Sequence, residues 1–197
     1  MDYSDLLNLV KDRKEAVYAF DQLLRKDTTW LEAPASTRFH LSRSGGLLEH
    51  SVSVARILLK IKNLLSPEIS DESCVIAGLY HDVGKVGLPG KAFYIPNTDK
   101  WQIQNRGIRY VVNKDLAYMD IASRSLMLVS SHVPLSEDEA QAIRYHDGQY
   151  IPENQGVAHR ETKLTRLLQY ADNWSGCALE DENELNHTDE RVDQGGI

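Results

Sequence analysis

Hydrophobic positions recur at three- and four-residue intervals over most of the chain, which is the period of amphipathic helices. Leu6, Leu7, Val10, Val17, Phe20, Leu23 and Leu24 predict a first helix over 4–25, with Ser4 as its N-cap and its charged face in solvent. A second helix, over 46–65, carries a broad apolar face of Leu47, Leu48, Val52, Val54, Ile57, Leu58, Ile61 and Leu65. Arg56, Lys60 and Lys62 fall on its solvated side, and Ser66-Pro67 ends it. A third apolar segment begins near Ser70 and closes through Gly84, Gly87, Pro89 and Gly90. Further helices are expected over 115–132, over 136–146 and over 160–176. Ser136 and Glu139 form a capping box, with Leu135 and Ala140 as its staple.

The period changes between 91 and 113. Phe93-Tyr94-Ile95, Trp101-Gln102-Ile103-Gln104 and Arg109-Tyr110-Val111-Val112 alternate or carry aromatic and β-branched residues, and Asn97-Thr98-Asp99 and Asn105-Arg106-Gly107 supply turns. A small β-hairpin or three-strand flap is expected there. The fold class is therefore all-α: a bundle of six or seven helices with a β-flap insertion. Residues 1–179 read as one domain, and the acidic, polar stretch 180–197 reads as a flexible tail.

Some polar residues break the apolar patterns. His81-Asp82 ends the third apolar segment, His50 aligns with Val54, Ile57 and Ile61 on the inward face of the second helix, and Asp172 lies in Tyr170-Ala171-Asp172 of the last. Buried imidazole and carboxylate need partners, and together they suit a borderline or hard divalent metal. Lys85 lies one turn past Asp82 and reaches the same side. In the loop 27–46, Arg38, His40 and Arg43 cluster before Gly45-Gly46 and a helix start, a combination that favours an anion.

Composition narrows the chemistry. The 197 residues carry a net charge of −7, which disfavours long nucleic acid but leaves room for a small phosphate ester in a local basic pocket. Two cysteines, Cys74 and Cys177, make no disulfide framework. No apolar run has membrane length, so a cytoplasmic protein without membrane contact is expected.

The order His … His-Asp … Asp resembles the HD superfamily of metal-dependent phosphohydrolases, and among them the small HD-domain hydrolases of bacteria and phages. Ala33-Pro34-Ala35-Ser36-Thr37-Arg38-Phe39-His40, Gly45-Gly46-Leu47-Leu48-Glu49-His50-Ser51, Ala77-Gly78-Leu79-Tyr80-His81-Asp82, Ala142-Ile143-Arg144-Tyr145-His146 and Tyr170-Ala171-Asp172 carry the likeness, which covers roughly 33–175. It implies one divalent ion (Mn, Fe, Co, Ni or Mg) on His50, His81, Asp82 and Asp172, with Asp82 and Lys85 as catalytic groups. Arg38, His40, Arg43, Lys85 and His146 are the expected substrate contacts, His146 touching phosphate or standing behind the metal. Two-metal relatives carry extra histidines, for which Asp120 or His132 would have to substitute here. Glu49 and Asp147 are candidates to carry the proton, and His159 and His187 read as surface residues.

The substrate implied is a small nucleotide, a deoxynucleoside mono- or triphosphate. Trp30, Phe39, Trp101 and Tyr150 are aromatic faces on which a base could stack. Alternatives are a cyclic-nucleotide phosphodiesterase, or a degenerate module that binds nucleotide without turnover. A homo-oligomer is compatible with the sequence.

Overall fold

Every residue from Cys74 to Tyr80 is buried, so the helix that holds them sits at the centre of the molecule rather than on its surface. The computed structural model describes residues 1–180, the side chain of Tyr150 excepted; the expected tail lies outside the described residues but for Glu180. The central helix is α4 (Asp71–Tyr80), started by Ser70, whose hydroxyl accepts from the Ser73 amide. Around it lie α3 (Gly46–Leu65), α7 (Glu137–Tyr145) and α8 (Lys163–Trp174). α6 (Ile121–Ser130) packs on the 3₁₀ turn Val83–Val86 that follows α4. The core runs from Phe20, Trp30 and Leu58 through Ile76 and Tyr80 to Ile143 and Leu168.

The fold is all-α, with a two-stranded sheet, β1 (Tyr94–Pro96) and β2 (Tyr110–Val112), as its only strand pair among the described residues. The strands are antiparallel, Tyr94 facing Val112. Between them the expected middle strand is instead α5 (Lys100–Arg106). Asp99, read as a turn residue, caps that helix by accepting from the Gln102 amide, and Gly107 closes it at φ 65°. The aromatic residues gave the stretch a strand-like composition, and the cap outweighed it.

The expected first helix is two: α1 (Tyr3–Leu7), capped by Asp2 rather than Ser4, and α2 (Lys14–Asp27). The break is made from a distance. Glu72 of α4 accepts from the backbone amides of Lys11 (2.7 Å), Asp12 (2.8 Å) and Arg13 (3.2 Å), which a continuous helix would have used itself. Arg13 then bridges Glu72 and the buried Glu139. Nor is the polar face simply solvated: Asp21 is buried against Tyr3 and Arg25. Lys62, expected in solvent, is buried and donates to the Ile69 carbonyl at 3.0 Å. α6 begins later than expected because Asp120 caps it, accepting from the Ser123 amide at 2.7 Å.

Two glycines set the distances that matter for the site. A Cβ on Gly78 would lie 2.6 Å from Ala55 Cα, so α3 and α4 touch backbone to backbone there. A Cβ on Gly84 would lie 2.5 Å from the Ile121 carbonyl, so α6 closes onto the turn bearing Lys85. Overpacking a closed contact costs roughly 1–3 kcal/mol. Gly78→Ala should lose that much unfolding free energy in urea denaturation; unchanged stability would mean that the two helices separate freely.

Candidate metal centre

Four helices each deliver a polar group to one buried point. His50 comes from the second turn of α3, His81 caps the C-terminus of α4 with Asp82 next to it, His146 caps the C-terminus of α7, and Asp172 lies in α8. His50 Nε2 is 3.0 Å from Asp172 Oδ1 and 3.8 Å from Asp82 Oδ2. His81 Nε2 is 3.7 Å and 3.6 Å from the same two oxygens. His146 Nε2 approaches the other oxygen of Asp82, Oδ1, at 3.4 Å. His50, His81, Asp82 and His146 are buried, and Asp172 is half-buried.

The hydrogen bonds behind the rings say which nitrogens are free. His81 Nδ1 is 2.9 Å from the Gly78 carbonyl, and His146 Nδ1 is 2.8 Å from the Ile143 carbonyl. A carbonyl only accepts, so each Nδ1 carries the hydrogen. His81 Nε2 is then a buried nitrogen without a hydrogen-bond partner, a costly state that a cation removes. Ligand atoms of His50, His81 and Asp82, and likewise of His81, His146 and Asp172, lie within 4.8 Å of one another. The donors are imidazole nitrogen and carboxylate oxygen, without thiolate, so the residues fit a borderline or hard divalent ion.

Electrostatics favour ionised carboxylates here. Burial opposes the charge on Asp82, but Lys85 and His146 outweigh it and hold Asp82 well below the usual carboxylate range. Asp172 is depressed in the same way, burial being outweighed by its hydrogen bond to His50, 3.0 Å away. Burial also opposes charge on His50 and His146, yet Asp172 and Glu180 push His50 up to about 10, and Asp82 and Asp147 push His146 up to about 9. Among the chain's own groups, the buried negative charge is balanced by protons on His50 and His146 and by Lys85.

A cavity of about 700 Å³ opens onto the centre at His146 and Asp172. His40, Asp147, Gln149, Gln169, Tyr170 and Asn173 also border it. Of the expected substrate contacts, the structure brings His40 and His146 to this cavity. Lys85 lies behind it, its ammonium on Asp82 and its side chain 11% exposed. Arg38 is exposed and lies over the ring of Phe39; Arg43 is exposed and paired with Glu49; neither borders the cavity. Trp30 is wholly buried in the core, donating from Nε1 to the Tyr3 hydroxyl. Phe39 and Trp101 are exposed away from the cavity, and the side chain of Tyr150 is outside the described residues. Asp120 is occupied as a cap, and His132 stacks on Phe20 at 5.3 Å. His159 is on the surface, while His187 is outside the described residues.

Sequence reasoning missed Glu180, read as the start of a tail. It is buried, and it accepts from His50 Nδ1. Gln169 and Asn173 were missed as well, although their spacing from Asp172 and Gly176 marks a polar stripe along α8 opposite Leu164, Leu167, Leu168 and Ala171.

Comparison with known proteins agrees with this geometry. A family profile described as HD domain matches residues 47–176. A dihydroneopterin 2′,3′-cyclic phosphate phosphodiesterase of Methanocaldococcus jannaschii is 38% identical over 58 residues, which cover 27% of this chain and 23% of that protein. The chain thus matches about a quarter of that relative's length. No solved structure matches.

A divalent ion bound through His50 must displace its proton. Adding manganese or cobalt near pH 7 should release that proton, and affinity should rise with pH because the competing proton leaves. A pH indicator in weak buffer reads the release. Uptake without a released proton would show the ring to be neutral beforehand.

Proposed function

The chain belongs to the HD domain family, and from that premise we propose that it is a metal-dependent phosphohydrolase acting on a small nucleotide-like ester with a single phosphate. One observation carries the reading: a buried His–Asp centre opens into a cavity that no lysine or arginine borders among the described residues. A triphosphate would bring several negative charges past Asp147 and Asp172 with few cations to meet them. A phosphomonoester or diester asks for much less.

In this reading His50, His81, Asp82 and Asp172 hold a divalent ion such as Mn, Fe, Co, Ni or Mg, and His146 offers a further nitrogen from the far side of Asp82. A bound ion of this kind polarises a phosphoryl oxygen and lowers the pKa of a water molecule. The remaining work falls to the chain's own side chains. Lys85 keeps Asp82 ionised and adds fixed positive charge beneath the phosphate position. Asp147 Oδ1, 3.7 Å from His146 Nε2 and open to the cavity, is placed to hold a proton beside the leaving oxygen. Glu49, tied to Arg43, does not border the cavity. His40, Gln149 and Asn173 supply hydrogen bonds to a sugar or base, and Tyr170 supplies an aromatic face.

Opening of a cyclic phosphodiester has additional support in the named activity of the archaeal relative. The binding-module reading has less, since Asp82, Asp172, three histidines and Lys85 are all present and gathered.

A panel of cyclic nucleotides, nucleoside monophosphates and deoxynucleoside triphosphates, each with Mn²⁺, Co²⁺, Ni²⁺ or Mg²⁺, tests the proposal. Turnover of single-phosphate substrates is expected, identified by ring opening or by orthophosphate, and Asp82→Ala should abolish it while helical content persists. Release of intact triphosphate at a comparable rate would overturn the single-phosphate reading. No product from any substrate, with metal bound, would leave the binding module.

A further inference from the structure

We propose that Glu180 is a positioning residue of the metal centre: its carboxylate holds the His50 ring so that Nε2 faces the ion. This rests on the metal-centre reading above, and it concerns a residue outside the span 47–176 that matches the family.

The three histidines solve the same orientation problem in two ways. His81 and His146 stand at helix C-termini, where the last carbonyls have no following amide to receive. Each ring therefore anchors its Nδ1 on the carbonyl three residues back in its own helix. His50 has no such carbonyl. It stands inside α3, where the carbonyls of the preceding turn are already used by the helix ladder. Its anchor has to come from elsewhere in the chain.

Glu180 provides it. α8 continues past Trp174 as a π-helical turn, Ser175–Glu180, which brings the Glu180 carboxylate to 2.9 Å (Oε1) and 3.1 Å (Oε2) from His50 Nδ1. A carboxylate only accepts, so Nδ1 donates, and Nε2, which faces Asp172, is the nitrogen that an ion would take in place of its proton. The carboxylate is itself fixed. Ser175 Oγ donates to Glu180 Oε1 at 2.8 Å and sits 2.7 Å from Ser53 Oγ, one turn beyond His50 on the same face of α3. His40 Nε2, at 3.8 Å from Oε2, is too far to compete as a donor. A carboxylate behind a metal-bound imidazole fixes the ring and raises its basicity, and losing such a partner typically weakens metal affinity by about 10–100-fold.

The alternative is that Glu180 only fastens the turn 175–180 to α3. Ser53→Ala separates the two, because it loosens the fastening and leaves His50 its acceptor. Cobalt(II) alone, titrated into metal-stripped protein and followed by visible absorption and calorimetry, gives the affinity. Glu180→Ala should bind cobalt about 10–100-fold more weakly, with Ser53→Ala close to wild type. Glu180→Gln should fall between, since its amide oxygen still accepts but carries no charge. With zinc bound, the ¹⁵N shifts of His50 should report ring nitrogens that change environment in Glu180→Ala and not in Ser53→Ala. Wild-type affinity in Glu180→Ala, or an equal loss in Ser53→Ala, would overturn the proposal. Should Glu180→Ala fail to fold by circular dichroism, Glu180→Gln decides, and wild-type affinity there is the overturning result. Wild-type protein that takes up no cobalt is a different failure, that of the metal-centre reading itself.

Discussion

The centre of the molecule is a problem of charge in a dry place. Asp82 and Glu180 are buried and Asp172 half-buried, within reach of three imidazoles that water does not solvate. Buried charge of this density is stable only when each group has a partner. The fold supplies those partners by where its helices end. From Cys74 on, α4 is apolar on all sides, so that part must lie at the centre, and its C-terminus carries His81 and Asp82 there with it. α7 ends at the same point and adds His146. The close approach at Gly78 and Ala55 then sets how far His50 stands from His81, whose ring centroids are 5.3 Å apart.

Much of this was legible because it depends on local rules. The apolar period fixes α3 and α4, Ser136 and Glu139 announce the start of α7, and a His-Asp pair at the end of a buried segment signals a ligand. The resemblance to HD phosphohydrolases rests on the order His50 … His81-Asp82 … Asp172 and the stretches around those residues, and the family match agrees with it. What was not legible depends on partners far away in sequence. The break between α1 and α2 is made by Glu72, some sixty residues on, whose carboxylate takes three amides from the chain. Lys62 is buried because Asp71 and the Ile69 carbonyl meet it. Arg38 and Arg43 follow a phosphate-binding pattern in sequence, yet Glu49 takes Arg43 and solvent takes Arg38. Glu180 looked like the first residue of an acidic tail because acidity and tail-like composition continue after it. Only a turn wider than an α-helical one carries it back to His50.

The division between family span and remainder follows the chemistry. The donors that meet at the centre, His50, His81, Asp82, His146 and Asp172, lie within 47–176, whereas His40 and Glu180, which form a third donor group with His50, lie outside it. The groups that meet His50 and the cavity from outside that span are His40, ahead of it, and Glu180, after it. Donors that must meet at one point within a few tenths of an ångström need rigid helices, and here they sit on helices or at their ends. Groups that face a substrate tolerate loops, and His40 sits on one. Glu180 belongs to neither class by position, since it is an orienting group carried on the last turn of the described chain. Its contact with His50 brings a residue from beyond the family span to the back of a ring that faces the centre.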